Sequence, residues 1–380
     1  MNYNFFSTCP RGLEQLLADE LKGYGASKIN TTEGGVNFSG DDEVLYRVNI
    51  ESRLATRVLV EIKNGFYKNE TDLYKAAFHT DWEKWFDVKK TIKVSTNAIY
   101  SPVKSLDFIT LKIKDAVCDY FREKQGQRPS VSIREPDIKI HTFLNKNKYF
   151  LYLDSSGAPL YQRGFRLSSV KAPIRENLAA GIIMLSGWKP GETFYDPMCG
   201  SGTFLIEAAM MAKNQAPGLN RKFDFMKWKN FDQKKFNEVF SSIKNKLKPN
   251  AFFNIFGSDI EMGAVRSSYR NLDNAGLSDC IKLSCSKFEE TKAPNNHGIL
   301  ITNPPYGERI GEEEGLIKSY PEWASHLKKA YAGWRTYFLT NDLTMPKHMR
   351  LKPTKKTPLF NGALDCRLFE INIVAGSNRS

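Results

Sequence analysis

Four residues, Asn303-Pro304-Pro305-Tyr306, bring together an amide, a stretch of backbone poor in donors and an aromatic ring. The prolines fix φ and remove two N–H groups, so nearby carbonyls stay available as acceptors. Asn303 is biased toward extended backbone by the proline after it. The apolar Ile299-Leu300-Ile301 reads as a buried strand that delivers this turn at its carboxyl end. Such a mouth can accept the hydrogens of an exocyclic amine and stack the flat ring that carries it. A proline-stiffened turn with a core tyrosine is the competing reading, and four residues alone do not separate the two.

Two acids hold comparable positions. Thr193-Phe194-Tyr195-Asp196 reads as a short strand ending in a carboxylate. Pro197-Met198-Cys199-Gly200-Ser201-Gly202-Thr203 follows, then an apolar helix from Phe204 to Met211. Strand, glycine turn and helix form a ligand cradle, because glycine admits close backbone approach and a helix start offers free N–H groups. A second strand, Phe252 to Ser258, ends at Asp259 beside Ile260. An acid at that tip holds ribose hydroxyls, here those of an adenosine. Asp259 lies far beyond the ~20-residue spacing of a dinucleotide site, and the turn is Cys-Gly-Ser-Gly-Thr rather than GxGxxG; both disfavour hydride transfer. No Gly-Lys-Ser/Thr follows, which excludes a P-loop. Asp196, Asp259 and Asn303 thus stand in order at three strand ends, where open α/β sheets bind ligands.

The elements that must position them are legible as periodicity. A third strand at Ile281–Ser284, a fourth at 299–302 and helices at 177–185, 204–211, 261–275 and 313–332 alternate as a doubly wound parallel sheet requires. Late strands at 337–340 and 368–374 are expected to close the sheet edge in antiparallel fashion, with a basic loop at 347–356 and a hairpin-like turn at 360–366 between them. Upstream, Tyr3 to Phe6, Val36/Phe38, 58–60, 92–95, Val131/Ile133, Ile138/Ile140 and 149–153 read as strands. Leu13 to Leu21, 41–49, 71–78, 82–86 and 106–121 read as helices. Residues 159–176, rich in Pro, Gly, Ser and cations, read as a linker. Residues 213–250 form a basic, aromatic insertion.

Length and charge narrow the class. The 380 residues carry 55 Lys and Arg against 42 Asp and Glu, a net charge of +13. That excess favours a polyanionic partner, nucleic acid first and an anionic membrane surface second; general solubility is the plain alternative. Six scattered cysteines without a CxxC pair argue against a zinc cage or a disulfide framework. No signal-peptide pattern and no run near the ~20 apolar residues of a membrane span is seen, so a cytoplasmic protein without a metal is expected.

The block Asp196 to Thr203, then Asp259, then Asn303-Pro304-Pro305-Tyr306 resembles the S-adenosylmethionine-dependent amino-methyltransferases. More narrowly, the chain resembles the THUMP-domain RNA guanine-N2 methyltransferases, the family of the 23S ribosomal RNA enzyme. Cys9-Pro10-Arg11-Gly12-Leu13-Glu14, Leu160 to Arg166 with Ala172 to Leu178, Ala216 to Arg221 and Asn303 to Gly311 carry the narrower match, which covers nearly the whole chain.

The resemblance implies an α/β fold in which a C-terminal Rossmann-like class I methyltransferase domain (177–380) follows ferredoxin-like (1–60) and THUMP (61–157) α+β domains and a linker (158–176). It implies S-adenosyl-L-methionine as cofactor, leaving as S-adenosyl-L-homocysteine, and structured RNA, 23S rRNA above all, as partner. Asn303, Pro304, Pro305 and Tyr306 would carry catalysis. Asp196, Pro197, Cys199, Gly200, Ser201, Gly202, Thr203, Asp259 and Ile260 would bind the cofactor. Such enzymes often place an acid after the third strand to meet the adenine amine. This chain has Ser284-Cys285-Ser286-Lys287 there, which leaves that contact to a hydroxyl such as Ser286 or to backbone. Lys112, Lys114, Arg163, Arg221, Lys222, Lys352 and Lys355 are candidate phosphate contacts, each competing with plain surface solubility. Deletion of residues 1–155 is expected to leave cofactor binding but to lose activity on structured RNA. The alternatives are tRNA guanine-N2 or DNA adenine-N6 methylation, and a non-enzymatic ribosome-assembly factor with a vestigial site.

Overall fold

The structure, a computed structural model, describes residues 2–167, 173–249, 251–305 and 312–374, the side chains of 312–314 excepted. Among these, two seven-stranded sheets organise the chain.

The N-terminal sheet contains β1 (Tyr3–Thr8), β2 (Ser27–Thr32), β3 (Gly35–Gly40), β4 (Arg57–Phe66), β5 (Ile92–Ile99), β6 (Ile138–Asn145) and β7 (Lys148–Asp154), in the order β2-β3-β1-β4-β7-β6-β5. All neighbours are antiparallel except β5 and β6, which a long helix connects. One apolar row crosses six strands in register: Phe38, Phe5, Val60, Leu153, Ile140 and Val94. All six are buried, because this face of the sheet packs on α1 (Glu14–Gly23), α2 (Asp42–Glu51), α3 (Glu70–Phe78) and α4 (Leu106–Gln125). Local signals start these helices. Asp41 and Ser105 accept N–H bonds as N-caps, and Asn69 with Asp72 forms a capping box. β4 pairs with β1 on one side and β7 on the other, so the sheet runs without a break through residue 60.

The C-terminal sheet contains β8 (Phe194–Asp196), β9 (Ile255–Asp259), β10 (Ile281–Cys285), β11 (Ile299–Thr302), β12 (Arg335–Thr340), β13 (Lys355–Asn361) and β14 (Leu364–Asn372), in the order β10-β9-β8-β11-β12-β14-β13. The first five are parallel and β14 is antiparallel to both neighbours. The helices are α5 (Glu176–Leu185), α6 (Thr203–Ala212), α7 (Gln233–Lys244), α8 (Met262–Asn274), α9 (Glu312–Ala330) and α10 (Met345–Met349). The chain runs outward from β8 to β10 and returns on the other side of β8 at β11, which makes β8/β11 the topological switch point.

Several expectations are corrected. The stretch read as a basic loop at 347–356 holds the end of α10 and the start of β13. The 82–86 helix is a single 3-10 turn at Trp82–Lys84, and Val131 forms an isolated bridge to Ile92 rather than a strand. β9 begins at Ile255, three residues later than its apolar run. The presumed linker is packed: Leu160, Arg163, Phe165 and Ile174 are buried. The insertion's aromatic residues face inward. Phe225, Phe231 and Phe236 surround Tyr46 of α2, and Trp228 meets Trp85 edge-on at 5.4 Å. One apolar cluster therefore extends from Phe5 to Leu368. Closeness here depends on glycine. A Cβ on Gly181 would lie 2.3 Å from Leu13, and one on Gly218 would lie 2.6 Å from the Ile50 backbone.

Candidate active site

The site is built where β8, β9 and β11 end. Asp196, at the tip of β8, is buried. Its Oδ1 accepts hydrogen bonds from the Met198 N–H (3.1 Å) and the Thr302 hydroxyl (2.9 Å). Thr302 is the last residue of β11 and immediately precedes Asn303. One carboxylate oxygen thus ties the glycine turn to the acceptor turn across the switch point. Burial, with the nearby Asp259 charge adding to it, pushes the Asp196 carboxyl up to about 7.

Asp259 ends β9. One oxygen accepts from Gly200 N–H at 2.8 Å and the other from Glu261 N–H at 3.0 Å, which leaves lone pairs for further donors. Ile260 beside it is exposed. Ser286 is half-buried, and its N–H donates to the Asp259 carbonyl at 3.0 Å. The turn between β8 and α6 is closed by Cys199 N–H donating to the Ser258 carbonyl and Gly202 N–H to the Cys199 carbonyl. Gly202 has φ +81°, and a Cβ there would stand 3.0 Å from Ser268 Oγ; only glycine meets both conditions comfortably. Burial holds the Cys199 thiol protonated, well above its ordinary range, so it packs rather than reacts.

The donor set suits an adenosyl ligand. Asp259 offers a carboxylate to ribose hydroxyls, Ile260 an apolar side chain to a flat base, and the turn a backbone cradle that a Cβ at Gly202 would crowd. Asn303 is half-buried, Pro304 buried and Pro305 exposed, so the acceptor turn reaches the surface. Tyr306 lies outside the described residues.

Sequence reasoning missed the groups that hold this turn from behind. Ser268 donates to the Gly200 carbonyl at 2.8 Å. The Asn271 amide donates to the Ser201 carbonyl (3.0 Å) and accepts from Leu167 N–H (2.9 Å). Arg166 bonds Thr203 Oγ1, the Ile174 carbonyl and Glu176. The presumed linker is therefore a strap laid against the ligand turn. Thr302 could have been found by its place before Asn303; Ser268 and Asn271, polar residues on a helix, carry no signal that sets them apart from a solvated face.

Two candidate RNA contacts are corrected. Arg163 is buried, donates to Glu207 Oε1 at 3.1 Å, and gives its other nitrogens to the carbonyls of Leu160 and Arg53. Arg221 is spent on the carbonyls of Ala158, Pro159 and Gln162. Arg163 is thus withdrawn from solvent, whereas Arg221 is half-buried with its terminal nitrogens engaged by backbone. Lys114 is paired with Asp115. Lys112, whose ammonium lies over Phe108, is half-exposed, and Lys222, Lys352 and Lys355 are exposed. They do not form one group: Lys112 belongs to α4, and Lys355 opens the edge strand of the other sheet. Among the described residues, no cluster of three or more His, Cys, Asp or Glu could hold a metal, and no helix is long and apolar enough to cross a membrane.

Comparison with known proteins agrees with this geometry. The model for the RMKL-like methyltransferase domain matches residues 163–370, the THUMP domain 67–154 and the RlmL ferredoxin-like domain 4–59. The ribosomal RNA large subunit methyltransferase K/L of Shewanella frigidimarina is 37% identical over 99% of this chain and 54% of its own length. The chain thus spans about half the length of the curated relatives it matches. A possible methylase from Clostridium difficile 630 superposes with a TM-score of 0.91 at 31% identity, covering 100% of both chains. SMU.472, crystallised in complex with SAH, superposes with a TM-score of 0.89 at 29% identity, covering 99% of both chains. A Rossmann-like sheet whose switch point joins a glycine turn to an Asn-Pro-Pro turn, preceded by ferredoxin-like and THUMP elements, thus places this chain in the RMKL-like methyltransferase family.

Proposed function

We propose that the protein transfers a methyl group from S-adenosyl-L-methionine to the exocyclic N2 of a guanine in large-subunit (23S) ribosomal RNA. The observation that carries this reading is the Thr302–Asp196–Met198 linkage, which holds an amine-accepting turn and a ligand turn at adjacent strand ends. When bound, S-adenosyl-L-methionine supplies a methyl group already made electrophilic by a sulfonium.

The chain's residues do the positioning. Asp259 takes the ribose hydroxyls, Ile260 lies against the adenine, and Ser286 lies next to it. Asn303 Oδ1 and the Pro304 carbonyl accept the two N–H bonds of the target amine and turn its lone pair toward the methyl. Both acceptors bind more strongly as nitrogen becomes cationic, so they favour the transition state over the ground state. Tyr306, by its place in the motif, stacks on the base, worth roughly 1–3 kcal/mol. In-line placement supplies much of the rest. A paired base must first leave its helix to reach this turn.

The Shewanella relative, a ribosomal RNA large subunit methyltransferase, supports RNA, and the guanine N2 assignment rests on the resemblance of the linker and N-terminal motifs. Mapping modified nucleotides by mass spectrometry in ribosomal RNA from a deletion strain tests it: one N2-methylguanine should vanish and return on complementation. Labelled methyl appearing instead in tRNA, or on adenine N6 in DNA, would replace the substrate assignment. Failure to bind S-adenosylmethionine would favour a non-enzymatic assembly factor.

A further inference from the structure

α6 carries the ligand turn at one end and meets the N-terminal region at the other. It begins at Thr203, directly after Gly202, and ends at Ala212, a length of about 15 Å. Thr203 and Glu207 are its polar side chains; the rest of its sequence is apolar. Apolar contacts are non-directional. Where this helix stands along its own axis is therefore set by the few directional bonds it makes.

Three arginines supply those bonds at three levels. Arg166 donates to Thr203 Oγ1 at 3.1 Å, and one turn further on Arg163 donates to Glu207 Oε1 at 3.1 Å. Arg53 holds the far end: its Nη2 donates to the Gln215 carbonyl at 2.9 Å and to that of Met210 at 3.4 Å. A cation here also opposes the partial negative charge of the helix C-terminus. The last turn of α6 has no basic residue of its own, and Lys213, next in the chain, sends its ammonium to the Gly276 carbonyl. Arg53 Nη1 stands 4.0 Å from Glu207 Oε2. Both atoms are buried, and among the described residues neither has a hydrogen-bond partner, so each depends on the other's charge.

Arg53 comes from a different part of the chain, the segment between α2 and β4. That segment is itself fixed. Glu20 of α1 accepts from Arg53 N–H at 3.1 Å and from the Ser52 hydroxyl at 2.7 Å, and Thr56 N–H donates to the Thr8 carbonyl at 2.7 Å. The Arg53 carbonyl accepts from Arg163. One residue thus holds the end of α6 directly and its middle through Arg163. The Arg53 side chain is only 13% exposed, and burying a guanidinium costs free energy. Adhesion between the two regions does not require it, because Leu13 against Gly181 and Ile50 against Gly218 already join them without charge.

We infer that Arg53 is a positioning residue for the cofactor: from outside the methyltransferase region it fixes α6 along its axis, and thereby the Gly200–Thr203 turn at the helix's other end. The inference rests on the proposed binding of S-adenosylmethionine by that turn. Small shifts matter there, since a misplacement of about 1 Å caused far from the chemistry can cost about 100-fold in rate.

The test uses the full chain. Arg53→Met keeps an apolar stem and removes the bonds; Arg53→Lys keeps the charge beside Glu207 and loses the fork. Asn177→Ala is the control. Asn177 donates to the Leu54 carbonyl at 3.1 Å and to Thr56 Oγ1 at 2.9 Å, so its loss loosens the same seam through α5 and breaks no bond to α6. Calorimetry with S-adenosylhomocysteine should show affinity about 10-fold lower in Arg53→Met, a smaller loss in Arg53→Lys, and a value within about twofold of the parent in Asn177→Ala. With ribosomal RNA as substrate, the cofactor KM should rise in step with the dissociation constant, while kcat at saturating cofactor changes by less than about threefold. Where Arg53→Met does not fold, Arg53→Lys carries the comparison with Asn177→Ala. The inference is overturned if the folded Arg53 variants bind S-adenosylhomocysteine as the parent does, or if Asn177→Ala loses as much affinity as they do. A fall in kcat with KM unchanged overturns it too. The two proposals fail separately. Ribosomal RNA methylation by a protein whose cofactor affinity ignores Arg53 removes the positioning role alone. Arg53-dependent binding by a protein that leaves guanine N2 unmethylated removes the substrate assignment alone, and a parent that binds no S-adenosylhomocysteine removes both.

Discussion

Asp196 makes a prediction that can be followed from structure to measurement. Its carboxyl is buried beside Asp259, accepts two hydrogen bonds, and is pushed from 3.8 up to about 7. Between those two values the folded protein holds a proton that the unfolded chain has released. Folded stability from this group is therefore fully present below about pH 4 and is lost as pH rises through 7. At about 1.4 kcal/mol for each pH unit, the loss comes to about 4 kcal/mol. Asp196→Asn is neutral at every pH and keeps an acceptor for Met198 and Thr302. Urea midpoints of the ligand-free protein and the variant should be compared from pH 5 to pH 8. The parent should lose stability relative to the variant, and the gap should level off above pH 7. Curves that stay parallel across the range would refute the burial argument. The same carboxylate explains why the strain is kept: a cationic ligand favours its charged form. Binding of S-adenosylmethionine near pH 6 should release a proton, seen as buffer-dependent heat in calorimetry, and Asp196→Asn should remove that dependence.

Further outcomes are expected. Asn303→Ala should lower methyl transfer by at least about 100-fold, the scale of losing a preorganised polar group at developing charge, while calorimetry shows S-adenosylmethionine affinity nearly unchanged. Asn271→Asp keeps the acceptor for Leu167 N–H but loses the donor to Ser201; it should raise the cofactor KM several-fold with a smaller change in kcat, and equal changes in both would count against a positioning role. Arg163→Met leaves buried Glu207 with only Arg53, 4.0 Å away, as a cationic partner and should cost up to about 3–5 kcal/mol in urea denaturation. Adding Glu207→Gln should restore most of it, and no recovery would show that the arginine's carbonyl contacts matter more than the ion pair.

How much of this could be read from residues alone varied with how each residue declares itself. Asp196, Asp259 and Asn303 each end an apolar run, so the strand ends were legible as changes from apolar to polar, and the order of the parallel strands followed from their alternation with helices. β2 was missed because Ser27-Lys28-Ile29-Asn30-Thr31-Thr32 is polar and mostly exposed; it is a strand only because β3 pairs with it. Arg163 was misread for a different reason. A cation among Pro, Gly and Ser looks solvated, and its partner Glu207 is 44 residues away. The partner did leave a trace, a lone carboxylate in the run from Phe204 to Ala212 of α6 that is otherwise apolar, and such a charge must be paired to be buried. The basic, aromatic insertion, which holds the candidate phosphate contacts Arg221 and Lys222, is ambiguous in sequence because ring-rich, basic composition is shared by stacking platforms and by small cores. Only packing against Tyr46 and Trp85 separates them.

The strap and the shared apolar interface change how this protein can be taken apart. Three family regions match the chain separately, yet β4 spans the gap between the first two, and a cut there would leave two sheets each with a raw edge. Deleting residues 1–155 would bare Gly181, Gly218 and Trp228 where Leu13, Ile50 and Trp85 now cover them, and it would remove the Arg53 carbonyl that accepts from Arg163. The methyltransferase half is thus expected to aggregate rather than survive as a smaller enzyme. The consequence is practical: the indivisible unit is larger than any of its named parts, and function is better dissected by point substitution than by truncation.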